Sequence, residues 1–153
     1  MKIMIALILL VLLTGCGPYI FNLNGFILPD DAEFIETVKS LDTPYKTCAY
    51  MEEKFTPVER HFKAFSPYEM FKYRWGDCND FCCFALFCAR YHGYEVYEIT
   101  LVFDDFSHII AVYKIGNDYL VSDWDYLHEW TYHNFDEILN FFYGWNNCII
   151  IEY

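Results

Sequence analysis

The sequence predicts an α+β domain in which one long apolar helix packs on a small antiparallel sheet. Three observations carry that expectation. Residues 78 to 92 (CNDFCCFALFCARYH) run without Gly or Pro and stop at Gly93, a residue suited to the left-handed position after a helix. Three strand-like runs follow, near residues 94–103, 108–115 and 119–123, with Gly116-Asn117-Asp118 turning the chain between the second and third. Ahead of the long helix, shorter helical signals recur: Asp30 or Asp31 can cap a stretch to about Leu41, and Thr43-Pro44 and Ser66-Pro67 place Pro at a first helical position.

Taken in order, the first of these helices carries Phe34, Ile35 and Val38 on one side, an amphipathic spacing. In the first strand Val96 and Tyr97 are the apolar positions, so Glu95 and Glu98 are expected to face outward or lie near an edge. The second strand, from His108, is rich in β-branched residues. Asn134 can cap a last helix over 135–143, closed by Gly144, and residues 148–151 read as a final strand.

The chain has 153 residues, enough for one ordinary domain, and 56% of them are hydrophobic, which excludes a disordered chain. Its 22 acidic residues outweigh 10 basic ones, and the net charge of −12 repels phosphate backbones, so nucleic acid is not an expected partner. The 14 Tyr, 15 Phe and 4 Trp are read first as a bulky core with some rings at its edge. A monomer is expected.

The amino terminus reads as an export segment. Lys2 precedes an unbroken apolar run from Ile3 to Leu13, a helix of about 16 Å. That is too short for a hydrocarbon core of about 30 Å but suits a signal peptide. Leu13-Thr14-Gly15-Cys16 resembles a bacterial lipoprotein lipobox, which implies lipidation of Cys16 and attachment to a bacterial membrane through that lipid. The expected organisation is a signal peptide over 1–15, a lipidated amino terminus and tether over 16–29, and one domain over 30–153.

Of the seven cysteines, Cys82, Cys83 and Cys88 lie in the apolar helix and are read as small buried hydrophobes. With one cysteine lipidated and one reactive, five remain, an odd number that argues against a complete disulfide framework. Neither a C-x-x-C pair nor H-E-x-x-H is present to suggest zinc.

Three residues are placed for chemistry. Cys78 lies at a predicted helix start, where backbone N–H groups and the helix dipole favour a thiolate. His108 opens the second strand and Asp123 ends the third. A cysteine nucleophile needs a base, and the base needs an acceptor to hold its tautomer. If Gly116-Asn117 is a two-residue turn, Ile115 lies opposite Asp118, and continuing that register puts Asp125 opposite His108 and Asp123 opposite Ile110. Both carboxylates are then within side-chain reach of the imidazole, since diagonal neighbours are about 7–8 Å apart, and spacing does not choose between them. The Cys78 N–H is the natural first oxyanion donor. Trp75, just before the nucleophile, is a candidate for the substrate cleft. His61, His92, His128 and His133 are read as surface or capping groups.

Gly76-Asp77-Cys78-Asn79-Asp80-Phe81, then Ser107-His108-Ile109-Ile110-Ala111-Val112, then Leu120-Val121-Ser122-Asp123, resembles the bacterial transglutaminase-like cysteine proteinases over about residues 65 to 125. The resemblance implies a papain-like, transglutaminase-like core and a Cys78–His108–Asp123 triad. No cofactor is required by such a triad. In a calcium-dependent branch of that family acidic residues flank the nucleophile, which makes Asp77 and Asp80 candidates for a calcium site, although Asn79 stands where a further acidic residue is common.

The leading functional expectation is a lipid-anchored cysteine peptidase or amidase that acts on protein or peptide through an acyl-enzyme. Resolution by an amine instead of water would make it a transamidating, cross-linking enzyme. A cell-wall peptidase of the NlpC type is a second enzymatic reading, and a surface lipoprotein that binds without catalysis is the non-enzymatic one.

Overall fold

The computed structural model describes residues 28–59 and 63–153. The lipobox cysteine Cys16, the signal peptide, nearly all of the tether, and His61 lie outside the described residues. None of the described helices is long and apolar enough to cross a membrane.

Three short helices come first. Helix α1 (Ala32–Ser40) is capped by Asp31, whose carboxylate accepts the Phe34 N–H at 3.1 Å, and it buries Phe34 and Val38. Helix α2 (Pro44–Lys54) starts on Thr43 and buries Cys48 and Met51. It runs for 11 residues, with its Cys48 and Met51 face packed into the core. Helix α3 (Pro67–Tyr73) opens with a capping box between Ser66 and Glu69 and ends at Arg74, whose φ of 64° is left-handed. Between them, β1 (Thr56–Pro57) pairs in parallel with β2 (Trp75–Gly76), two short strands the hydropathy pattern did not mark.

The long helix α4 (Cys78–Tyr91) has ten buried residues, from Asp80 to Ala89, so it is the centre of the core and not a surface helix. Phe81, Phe84 and Leu86 are each essentially inaccessible, and burial of such side chains stabilises the fold by about 2 kcal/mol apiece. Gly93, at φ 82°, lets the chain leave the helix and enter the sheet.

The sheet is five-stranded and antiparallel, in the order β6-β5-β4-β3-β7. Its strands are β3 (Val96–Val102), β4 (Ser107–Ile115), β5 (Asp118–Asp123), β6 (Tyr126–Leu127) and β7 (Asn147–Glu152). Between β6 and β7 lies helix α5 (Phe135–Phe141), capped by Asn134. The molecule is thus mixed helix and sheet, an α+β arrangement. One face of the sheet meets α4 and the helices around it, through Val96, Ala111 and Tyr113. The other face, with Ile99, Leu101, Ile110, Val112 and Val121, is closed by Tyr132 and by Ile138 of α5.

That double covering corrects one expectation. Glu98 is not at an edge: it lies on the interior strand β3, only 6% exposed, with β4 and β7 on either side. Alternation in 94–103 therefore does not separate core from solvent, and six of the seven residues of β3 are buried. The Tyr153 hydroxyl donates to Glu98 at 2.8 Å, and burial pushes the carboxyl above its usual range despite that bond and one from Thr100.

Candidate active site

Cys78 is the first residue of α4, and local hydrogen bonding explains why the helix starts there. The Asp77 carboxylate accepts the Asn79 and Asp80 N–H groups at 3.0 and 3.3 Å, while Asp80 Oδ2 accepts the Asp77 N–H at 2.8 Å. This reciprocal cap satisfies first-turn amides but does not use that of Cys78. Cys78 remains partly accessible, whereas Cys82, Cys83 and Cys88, further along the same helix, are buried as expected and have thiols pushed up by that burial. All six described cysteines are free thiols.

His108 is the second residue of β4, opposite Leu101 of β3. Its Nε2 lies 2.6 Å from Asp123 Oδ1. The Cys78 side chain acts on the same ring, as a hydrogen-bonding and electrostatic neighbour. Burial disfavours the imidazolium most strongly. Hydrogen bonding to Asp123 and Cys78, together with the electrostatic pull of those two side chains, outweighs it and leaves His108 pushed up to about 9.

The hairpin between β4 and β5 has the expected register, with Ile115 opposite Asp118 and Ala111 opposite Ser122. The ladder ends there. Asp123 instead pairs with Tyr126, so Trp124 and Asp125 form a two-residue turn into β6. The turn carries Asp125 away from His108: its side chain helps line a cavity of about 480 Å³ with Tyr45, Cys48 and Leu127. The structure therefore brings together Cys78, His108 and Asp123 and does not bring Asp125 to them.

Trp124 was not singled out by the sequence. It has a left-handed φ of 55°, rare for a bulky residue, and its indole stacks on the His108 ring at 6.5 Å and meets Phe81 edge-on at 5.3 Å. Since Phe81 lies one turn into α4, the indole joins the nucleophile's helix to the histidine's strand. Trp75 is 39% exposed on the segment leading to Cys78, with Phe65 against it edge-on at 5.2 Å and Tyr73 at 6.4 Å.

The other histidines divide. His92 ends α4 and bonds the Val38 carbonyl at 2.8 Å, and His133 pairs with Asp118 at the surface. His128 departs from its expected surface role: it is 4% exposed, bonded to the Tyr132 hydroxyl at 2.7 Å and enclosed by Trp130, Phe141 and Phe142. Burial lowers its affinity for a proton, against a weaker pull from Asp123.

Asp77 and Asp80 do not fit a calcium site as they stand. Asp80 is fully buried with both oxygens accepting backbone N–H groups, Phe65 at 2.6 Å and Asp77 at 2.8 Å. Among the described residues no group of three or more acidic, His or Cys side chains is arranged to hold a metal ion.

No family model and no curated protein matches the chain. A distant structural likeness exists to the "Putative Cysteine Protease" of Cytophaga hutchinsonii, with 13% identity and a TM-score of 0.46. The likeness covers 79% of this chain, which spans 52% of the other, about half its length. It carries no residue-level information.

Proposed function

We propose that the protein is a cysteine hydrolase of amide bonds, a peptidase or amidase, with Cys78 as nucleophile, His108 as general base and acid, and Asp123 as the acceptor that orients the imidazole. The observation that carries this reading is the bridging position of His108, which has Asp123 at 2.6 Å on Nε2 and Cys78 as its other partner.

In this reading the Cys78 sulfur gives up its proton to His108 and attacks the substrate carbonyl carbon, forming a C–S bond and an oxyanion. The Cys78 N–H at the helix start donates to that oxyanion. His108 returns the proton to the leaving amine as the C–N bond breaks, which leaves an acyl-enzyme and the first product. It then takes a proton from water as the water attacks the thioester, and gives it back to sulfur as the acid departs. Asp123 holds Nε2–H throughout and keeps Nδ1 toward the sulfur. Neither a metal ion nor a cofactor takes part in these steps. We place the enzyme on a bacterial membrane through lipid on Cys16, with protein or peptide as substrate.

The test is the pH dependence of Cys78 alkylation, followed by peptide mapping, in the wild type and in His108→Ala. A thiol that reacts well below the ordinary cysteine range of about 8.5, and loses that reactivity without His108, supports the reading. A Cys78 that is inert or indifferent to His108 overturns it.

A further inference from the structure

We propose that Asp80 is a positioning residue for the candidate site, a single buried carboxylate that anchors both the nucleophile and the aromatic surface beside it. The inference rests on the hydrolase reading and adds what holds its parts in register.

Asp80 has no exposed surface, although it is an acid in the first turn of a helix. Its two oxygens bind two backbone segments. Oδ2 accepts the Asp77 N–H at 2.8 Å, directly before Cys78, and Oδ1 accepts the Phe65 N–H at 2.6 Å, from a segment 15 residues upstream. Both bonds have the short lengths of charge-assisted contacts. The Asp80 carboxylate packs directly against the chain before the helix, and Gly76 makes that approach possible. A Cβ at Gly76 would lie 2.5 Å from Asp80 Oδ2 and 2.6 Å from its Cβ. The G-D-C-x-D order thus has a steric reason: Gly76 leaves room, Asp77 caps, and Asp80 closes the cap from below.

Each bond has a consequence. The Asp77 bond sets where α4 begins, and so where the Cys78 sulfur and N–H point. His108 cannot follow a displaced sulfur, because Asp123 holds its other nitrogen and Trp124 lies on its face. A shift of about 1 Å is enough to cost such a pair much of its reactivity. The Phe65 bond fixes a residue whose ring packs on Tyr73 at 4.9 Å and on Trp75 at 5.2 Å. Those two rings are half exposed next to the nucleophile segment, where a substrate chain would lie.

The experiment uses the full chain in detergent. Asp80→Asn keeps the size but turns one acceptor into an NH₂ group facing an N–H. Gly76→Ala disturbs the same carboxylate from the opposite side. Both are expected to slow iodoacetamide alkylation of Cys78 by about tenfold or more. Ile138→Val, a destabilising control on the far face of the sheet, is expected to react like wild type. Hydrogen exchange of the unmodified protein should show the Phe65 and Asp77 amides protected. Wild-type amides that exchange like open loop positions, or folded Asp80 and Gly76 variants that alkylate within about twofold of wild type, overturn the proposal. His108→Ala separates the two failures: if Cys78 ignores His108, the hydrolase reading falls and this one with it. If Cys78 depends on His108 but not on Asp80, only the positioning role falls.

Discussion

Trp124 lays its indole nearly parallel to the His108 imidazole, at 28° and 6.5 Å, from a backbone position that bulky side chains rarely occupy. The same ring meets Phe81 of the nucleophile's helix. Strain of this kind costs about 1–3 kcal/mol and persists only where the surroundings impose it. Here the β5–β6 turn imposes it, and sets the indole beside the His108 ring.

Trp124→Ala is therefore expected to lower stability by about 2–3 kcal/mol, less than removal of a fully buried large aromatic, since the ring is only partly buried. Cys78 alkylation should also lose part of its dependence on His108. Urea melts read the first effect and alkylation rates the second. A variant that is less stable but keeps wild-type Cys78 kinetics would confine Trp124 to packing.

Asp123→Asn and Asp125→Asn should separate sharply. The first is expected to cut the His108-dependent reactivity of Cys78 by about a hundredfold, through loss of the acceptor that fixes the tautomer. The second should change it by about twofold or less, because Asp125 lines a separate cavity. Equal effects would contradict the placement of the turn.

The titration of His108 gives a pH test with a definite sign. Its folded value is raised from 6.5 to about 9, so the stability it contributes is fully present below about 6.5 and is lost as pH rises through about 9. The ring-proton NMR resonances of His108 should titrate near 9 in the wild type and move down in Asp123→Asn, which removes a hydrogen bond and a charge that favour the imidazolium.

Glu98 should behave as a buried acid that resists ionisation. Its folded value is raised above 4.5 by burial, so it favours folding below 4.5 and that contribution is lost as pH rises through the raised value. Glu98→Gln, which keeps a partner for Tyr153, is expected to flatten the pH dependence of the melting temperature above pH 4.5 and to be at least as stable as wild type at neutral pH. A steeper fall in the variant would show that the native carboxylate is stabilised, not merely tolerated.

Native-state labelling offers a further check. A neutral alkylating reagent should modify Cys78 and Cys148 and spare Cys48, Cys82, Cys83 and Cys88, which are buried, with Cys48 pushed up to about 12 by that burial. Rapid labelling of Cys82 or Cys88 before unfolding would contradict the packing of α4.

Much of this molecule was legible in its residues, because the signals are local. Asp31, Thr43, Ser66 and Asn134 cap helices through bonds to amides three residues on, and Gly93 and Gly116 take the left-handed positions a helix end and a hairpin need. The hairpin turn likewise set the register that brings the β4 and β5 strands side by side. What lay beyond the sequence depends on contacts between distant segments. The choice of Asp123 over Asp125 follows from where the β5 ladder stops, the burial of Glu98 and His128 from what covers each sheet face, and the task of Asp80 from a bond to Phe65 that no spacing announces. Short-range hydrogen bonding and side-chain period are written along the chain. Desolvation and the partners of a buried polar group exist only once the layers close.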